Sequence, residues 1–539
     1  MKKILVVLLL LSNIVVFSQE DAWVYFNAKP DAQTYLNNPL TMLTQRSLDR
    51  RTLQNIALDN KDVPMYQPYI DQVAAAAGIT VKAKSKWFNA LHVRGTIADI
   101  RALSALSFVD HLEFANRALN PGGRIAAPTP PKKFTKTAGP AVLFNYGNSF
   151  NQIEMLNGHV LHQQNFTGAG KIIAVMDGGY PGVNTASTFA RLRNNNQILG
   201  GYDYVNRSTD FYTGISHGTM VLSTMGGFKD QQLVGTAPDA SYYLYITEDG
   251  ANEGPLELSL WVEAAEEADR LGVDIITTSL GYTLFDNANY NFAYEDMDGT
   301  VAYISRGVNI AYSRGMICVV SAGNDGNADW HYISAPADAL HALTIGAVNA
   351  MGNPATFSSY GPAADGRIKP DVAAQGQQAV LSNTSGGITT ASGTSFSGPI
   401  IAGMVASFWQ AVPNKTNEEI MQFIKESASI YNAPNDRIGY GIPDFSLALS
   451  SALGNQGFIN HNTKFTLSPN PAQQEIAISF PNGFDAANVT LHNILGQRIL
   501  ETTVSTANPE IGIEMLNSGV YLYKIQSGAV SQTGKMVKQ

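Results

Sequence analysis

Residues 391–406 read A-S-G-T-S-F-S-G-P-I-I-A-G-M-V-A. Ser392, Gly393 and Thr394 are turn formers. The run of small and apolar residues behind them continues to about Trp409, where Pro413 and Asn414 break it. This pattern predicts a buried helix entered through a tight, glycine-dependent turn. Gly398, Ala402, Gly403 and Ala406 leave one face so small that neighbouring backbone can pack directly on it. Pro399 is expected in the first helical turn, where its missing N–H has no intrahelical partner to lose. Ser395 then stands at the helix entry, its hydroxyl and backbone N–H near the positive end of the helix dipole. Taken alone, a serine there is an ordinary N-cap.

The flanking sequence divides by texture. Residues 1–18 place Lys2 and Lys3 before an apolar run that ends at Ser18, the pattern of an export signal peptide. Residues 19–118 read as a small α+β module, with strands at 22–26, 91–93 and 108–114 and helices near 69–77 and 96–106; a charged stretch lies at 43–60. Residues 119–140 are rich in Pro, Gly, Lys and Thr and read as an exposed linker. From 141 to 450 strands and helices alternate: apolar runs at 171–176, 241–246, 273–279, 316–322 and 342–348 are separated by helical patterns beginning at 216, 255 and 305. That alternation predicts a doubly wound parallel α/β sheet, whose ligands bind beyond the carboxyl ends of its strands. A second linker, 451–463, leads to residues 464–539, where short β-rich runs separated by turns predict a β-sandwich. With 539 residues and a net charge of −9, nothing points to nucleic acid or an anionic membrane as partner. After the signal, no stretch is long and apolar enough to span a bilayer. The single cysteine, Cys318, lies in an apolar strand and reads as a core residue.

Four polar residues sit where such a sheet binds ligands. Asp177 follows the first buried strand, His217 opens a helix packed with small residues, Asn324 ends the strand at 316–322, and Ser395 opens the helix at 391–406. Each has a plain reading as a turn or cap residue. Together they supply the parts of an acyl-transfer site. A serine hydroxyl is a weak nucleophile until a base takes its proton, and a histidine base needs a carboxylate to hold its tautomer and stabilise its charge. The chain order Asp, His, Ser is one of the known orders of this constellation.

Asp177-Gly178-Gly179, His217-Gly218-Thr219 and the segment from Gly393 to Pro399 (G-T-S-F-S-G-P) resemble the three signature motifs of the subtilases, the subtilisin-like serine peptidases. Residues 321–324 (S-A-G-N), 357–362 (F-S-S-Y-G-P), 369–372 (K-P-D-V) and 439–441 (G-Y-G) agree in order over about 300 residues. The resemblance implies a secreted endopeptidase in which Ser395 is nucleophile, His217 general base, Asp177 its orienter and Asn324 the oxyanion donor. Ser279, Leu280 and Gly281 would line the groove for an extended polypeptide substrate. It implies no cofactor for catalysis. Subtilases often hold structural calcium; no acidic loop here has a recognisable ligand spacing. Asp286, Glu295, Asp296 and Asp298 are the best candidates, and a solvated loop is the plainer reading of that segment. Tyr282, Phe285, Tyr290 and Phe292 near the groove strand suggest a preference for a large apolar residue before the scissile bond. Gly178 departs from the Ser or Thr that many relatives carry after the aspartate, which removes one contact to the carboxylate.

The same resemblance makes the N-terminal module an inhibitory propeptide, similar in its segments 87–91 and 109–113, that the enzyme itself would cut off between about residues 114 and 140. Segments 467–471 (L-S-P-N-P), 493–497 (N-I-L-G-Q) and 516–521 (L-N-S-G-V-Y) look like a C-terminal sorting domain read by the type IX secretion machinery. Two rival classes use the same residues: an acyl or ester hydrolase, which needs a pocket rather than an extended groove, and a catalytically silent surface-binding protein, which would lack a member of the site.

Overall fold

The computed structural model describes residues 19–120, 144–454, 465–480, 484–493, 496–527 and 530–539. The expected signal segment and most of both linkers lie outside these residues. The chain divides into two compact units, Met1–Gly454 and Asn455–Gln539.

The first unit begins with β1 (Gln19–Phe26), followed by short helices α1 (Ala32–Asn37), α2 (Gln45–Leu53) and α3 (Gln67–Ala74). Then come β2 (Thr80–Ser85), β3 (Ala90–Thr96), α4 (Ile97–Ala102) and β4 (Val109–Phe114). The strands form an antiparallel sheet in the order β2-β3-β1-β4. Ala22, Val24 and Phe26 of β1 face the module's own core with Val73, Leu91, Val93, Ile100 and Phe108. The alternate residues, Trp23 and Tyr25, enter a different core, shared with the larger domain that follows. A strand buried on both faces reads as a continuous apolar run, which is why 22–26 is A-W-V-Y-F. The charged stretch at 43–60 contains α2, and its Arg50 and Arg51 are buried.

The larger domain opens with α5 (Phe150–Glu154), α6 (Gly158–Gln163), β5 (Ile172–Asp177), α7 (Ala190–Asn194), β6 (Ile198–Asp203) and α8 (His217–Gly226). A two-residue ladder of β7 (Phe228–Lys229) and β8 (Leu233–Val234) precedes β9 (Ser241–Ile246), α9 (Pro255–Leu271), β10 (Ile275–Thr278), α10 (Tyr303–Ser313), β11 (Ile317–Ser321) and β12 (Leu343–Val348). It closes with β13 (Val372–Gln375), the hairpin β14 (Ala379–Ser382) and β15 (Ile388–Ala391), α11 (Thr394–Ala411), α12 (Asn417–Glu426) and α13 (Phe445–Ala452). Seven strands form one parallel sheet in the order β13-β12-β11-β10-β5-β9-β6. The chain starts at β5, fills one side with β9 and β6, then crosses to β10. The strand order therefore reverses beside β5, where open α/β sheets hold their ligands.

Period-two alternation assigns each strand's side chains to two cores. Ile173 and Val175 pack against α8 and α11, whereas Ile172, Ala174 and Met176 pack toward α9 and α10. α11 is buried along almost its whole length. Its small face works as expected: a Cβ on Gly403 would lie 2.1 Å from Thr236 Oγ1, and one on Gly398 2.6 Å from Ser321 Oγ. Pro399 differs from expectation. It lies inside the helix, past the first turn, and removes the N–H that would otherwise reach the Ser395 carbonyl.

The second unit, described by itself, has a sheet of β16 (Thr466–Ser468), β17 (Glu475–Ser479) and β20 (Glu510–Gly512). A second sheet joins β18 (Ala486–His492), β19 (Arg498–Ser505), β21 (Gly519–Ser527) and β22 (Val530–Lys538). Ile476, Ile478, Val489, Leu491, Ile525 and Met536 meet in one core, as in a small sandwich.

Candidate active site

β5 ends at Asp177, which is fully buried. Its carboxylate accepts the Gly178 N–H at 2.8 Å, and His217 Nδ1 lies 2.9 and 3.0 Å from its two oxygens. Because the Asp177 carboxylate accepts a hydrogen bond from Nδ1–H, the proton of the neutral ring stays on Nδ1 and the lone pair resides on Nε2, the nitrogen with no protein partner among the described residues. The Asp177 charge, foremost, raises the His217 pKa above the ordinary histidine value; burial opposes it, and Glu248 adds to the rise. The expected loss of a contact at Gly178 resolves into an exchange. A Cβ there would lie 2.6 Å from Ile215 Cδ1, so the Ile215 side chain occupies the space a larger residue would take.

Ser395 is the second residue of α11, so its backbone N–H falls in the first turn, where α-helices have no internal acceptor. The neighbouring Phe396 ring lies 6.0 Å from the His217 ring. Among the described residues no hydrogen bond joins Ser395 Oγ to His217; such contacts commonly tighten only when substrate is bound. The Ser395 carbonyl, left free by Pro399, accepts the Ser279 hydroxyl at 3.1 Å. This bond gives Ser279 a structural use that the sequence did not suggest.

Asn324 sits just beyond β11, exposed. Its Oδ1 accepts both the Thr394 N–H (2.8 Å) and the Thr394 hydroxyl (3.0 Å). A backbone N–H can only donate, so the oxygen is fixed there and Nδ2 is left as a donor on the open side. Ser279, Leu280 and Gly281 run on past the end of β10. Among the described residues, no backbone hydrogen bond engages them before Tyr282, which pairs with Ala335. Their backbone edge is unpaired among the described residues, with Ser279 buried and Gly281 exposed.

Glu248, two residues past β9, was not foreseen. It accepts the Tyr282 hydroxyl at 2.9 Å, and its oxygens lie within 4.8 Å of those of Glu253 and Glu257. Burial, and then the Glu253 charge, push Glu248 up to about 7; burial and Glu248 push Glu257 up to about 9. No motif marks Glu248: Glu253 and Glu257 follow it closely in sequence, but Asp177 and Tyr282 reach it only through the fold.

Other expectations fare differently. Asp286 accepts the Glu253 N–H, Asp296 the Ala293 N–H, and Asp298 the Thr300 N–H and hydroxyl, while Glu295 is exposed. Asp286, Asp296 and Asp298 are thus engaged separately, and among the described residues the four acids are not gathered into one cluster. Tyr282, Phe285 and Tyr290 are buried in the core that receives Trp23, and Tyr290 donates to Glu20 of the N-terminal module. Phe285 and Tyr290, with the half-buried Phe292, line a small cavity together with Trp23, Glu113 and Arg117 of the N-terminal module. Cys318 is buried, and burial raises its thiol pKa.

Comparison with known proteins agrees in three places. Residues 21–133 match the peptidase S8 propeptide domain of Bacteroidota, residues 159–441 the subtilase family, and residues 466–539 a secretion system C-terminal sorting domain. Subtilisin BL of Lederbergia lenta is 30% identical over 277 residues, covering 51% of this chain and 89% of that protein. A thermostable alkaline protease of Halalkalibacterium halodurans is 26% identical over 284 residues, covering 52% and 69%. The crystal structure of MycP1 from Mycobacterium smegmatis is 21% identical with a TM-score of 0.43, covering 58% of this chain and 88% of that one. With a family match over more than half its length, the chain belongs to the subtilase family of serine peptidases.

Proposed function

We propose that this chain is an exported endopeptidase, made as a proform that it cuts itself, with Ser395, His217 and Asp177 as its catalytic triad. The carrying observation is the buried Asp177 carboxylate on His217 Nδ1, which leaves Nε2 as the basic nitrogen of a ring 6.0 Å from Phe396 of α11. His217 takes the Ser395 proton as Oγ attacks the scissile carbonyl, and later gives it to the leaving amine. Asp177 holds the ring and stabilises its charge. The oxyanion is received by Asn324 Nδ2 and the Ser395 N–H, with the α11 dipole behind it. Main-chain pairing with the unpaired edge at Ser279, Leu280 and Gly281 supports an extended polypeptide substrate over a compact ester. The C-terminal match supports export through type IX secretion machinery to the cell surface or beyond.

Intact-mass measurement of purified wild type and Ser395→Ala tests the reading. The wild type is expected to lose its first 114–140 residues, and the variant to stay whole apart from its signal. Cutting of both at the same bond, with no other protease present, would overturn self-processing. Asn324→Ala is expected to lower kcat by about 10²–10³ with little change in KM, because its hydrogen bond forms only with the oxyanion. A raised KM at constant kcat would make it a substrate-binding residue instead.

A further inference from the structure

Between β1 and α3 the propeptide carries residues 27–66, which hold their own small core of Met42, Leu43 and Val63, separate from that of the propeptide sheet. We propose that this arm is a second anchor of the propeptide, docked on the end of the catalytic sheet opposite the active site, and that it sets how long the propeptide stays bound after the chain is cut. The inference rests on the reading of the N-terminal module as a propeptide that is cut away.

The docking surface is built on the C-terminal ends of α9 and α10, with Gly170 ahead of β5 and Asn417 at the start of α12 beside them. The last turn of a helix leaves carbonyls without partners and carries the negative end of its dipole, so it suits cationic donors. α2 supplies three of them. Arg46 donates to the Gly272 and Gly170 carbonyls, both at 2.9 Å, and to the Asp274 carboxylate. Arg50 donates to the Val273 and Arg314 carbonyls and pairs with Asp269. Arg51 spans Asp269 of the catalytic domain and Asp62 of the arm, each at 2.8 Å. In return Arg314, after α10, reaches Asp59 of the arm at 3.0 Å and Asp62 at 3.4 Å. Gln54 donates to the Gly315 carbonyl and accepts the Asn417 N–H. Asp62 and Asp269 are fully buried and Arg51 nearly so. The surface is shaped for the arm: Gly272, at φ +80°, caps α9, and a Cβ on it would lie 2.7 Å from Arg46 Cγ.

The location matters as much as the pairing. Asp274 also accepts the Ile172 N–H at 2.9 Å, which places Arg46 at the start of β5. Asp177 closes the same strand, about 17 Å away at the usual rise per residue. Substrate therefore does not compete with the arm, and a cut between residues 114 and 140 leaves every one of these contacts intact. Losing one partner of a buried ion pair is costly, because the other charge stays desolvated.

The test uses the full chain with Ser395→Ala and a site-specific protease sequence inserted in the 121–143 segment, so that the cut is supplied from outside. After cutting, size-exclusion chromatography at successive times follows the departure of the N-terminal fragment. Arg50→Gln with Arg51→Gln is expected to shorten its residence at least about tenfold. Arg46→Ala with Gln54→Ala, which changes partly exposed groups, is expected to shorten it about threefold. Residence within twofold of the parent in both would overturn the anchor. If the arginine pair prevents folding, judged by loss of a cooperative melt before cutting, the second variant alone decides. Because Ser395 is absent throughout, a failure of self-processing leaves this outcome untouched, and a failure of the anchor leaves self-processing untouched.

Discussion

His217 has to be neutral to accept a proton, yet the residues around it favour its charged form. Asp177 contributes most, burial opposes, and Glu248 adds its own negative charge. Glu248 is itself pushed up to about 7, by burial and then by Glu253, so its charge grows as the pH rises through neutrality. Glu248→Gln removes the charge, lowers the His217 pKa, and is expected to move the acid limb of the kcat/KM profile to lower pH. An unmoved limb would show that Glu248 does not act on the base. Asp177, His217, Asn324 and Ser395 could be singled out as candidates in the sequence because each lies in a short contiguous motif at an element boundary, and the fold joins Asp177 to His217 and Asn324 to the start of α11. Glu248 and Thr394 were not. Glu248 matters through its place beside Asp177 and Tyr282, and Thr394 through its two bonds to Asn324, and only the folded sheet creates either contact.

At the scale of elements, α11 shows what a proline inside a helix can do. Pro399 deprives the Ser395 carbonyl of its intrahelical donor, and Ser279, beyond the end of β10, supplies a hydroxyl in its place. Ser279→Ala is expected to destabilise the uncut Ser395→Ala proform by about 1–3 kcal/mol in denaturant unfolding, the cost of a buried carbonyl left without a partner. Adding Pro399→Ala restores an N–H in the helix and is expected to recover most of that loss; additive losses would contradict the exchange. The long buried strands and α9 were read from their apolar patterns nearly to the residue. β6, whose run Ile198–Asp203 contains two glycines, and the four-residue β13 were missed, since neither carries a periodic signal. α2 was passed over as a charged stretch because its arginines, normally signs of solvent, are buried against acids far along the chain. α9 reads as amphipathic, but Glu266 on its polar face is buried by three donors, Ser85 Oγ and the Lys86 and Trp87 N–H groups.

Across the first unit, the propeptide behaves as part of the catalytic fold. Trp23 stacks on Tyr303 at 4.6 Å between ring centroids and donates to Ser259, so one strand of the module completes the core on the α9 and α10 face. Parallel sheets depend on contacts distant in sequence and form slowly, and the module packs on two of the helices that cover this one. The three-part order of the chain was legible because each part has its own texture. How the propeptide grips the enzyme was not, because its ion pairs join residues more than two hundred positions apart. The nucleophile can be labelled directly. Mature enzyme treated with a fluorophosphonate and mapped by peptide mass is expected to carry one adduct, on Ser395, with labelling abolished in His217→Ala. An adduct on another residue, or equal labelling of Ser395 without His217, would contradict the triad.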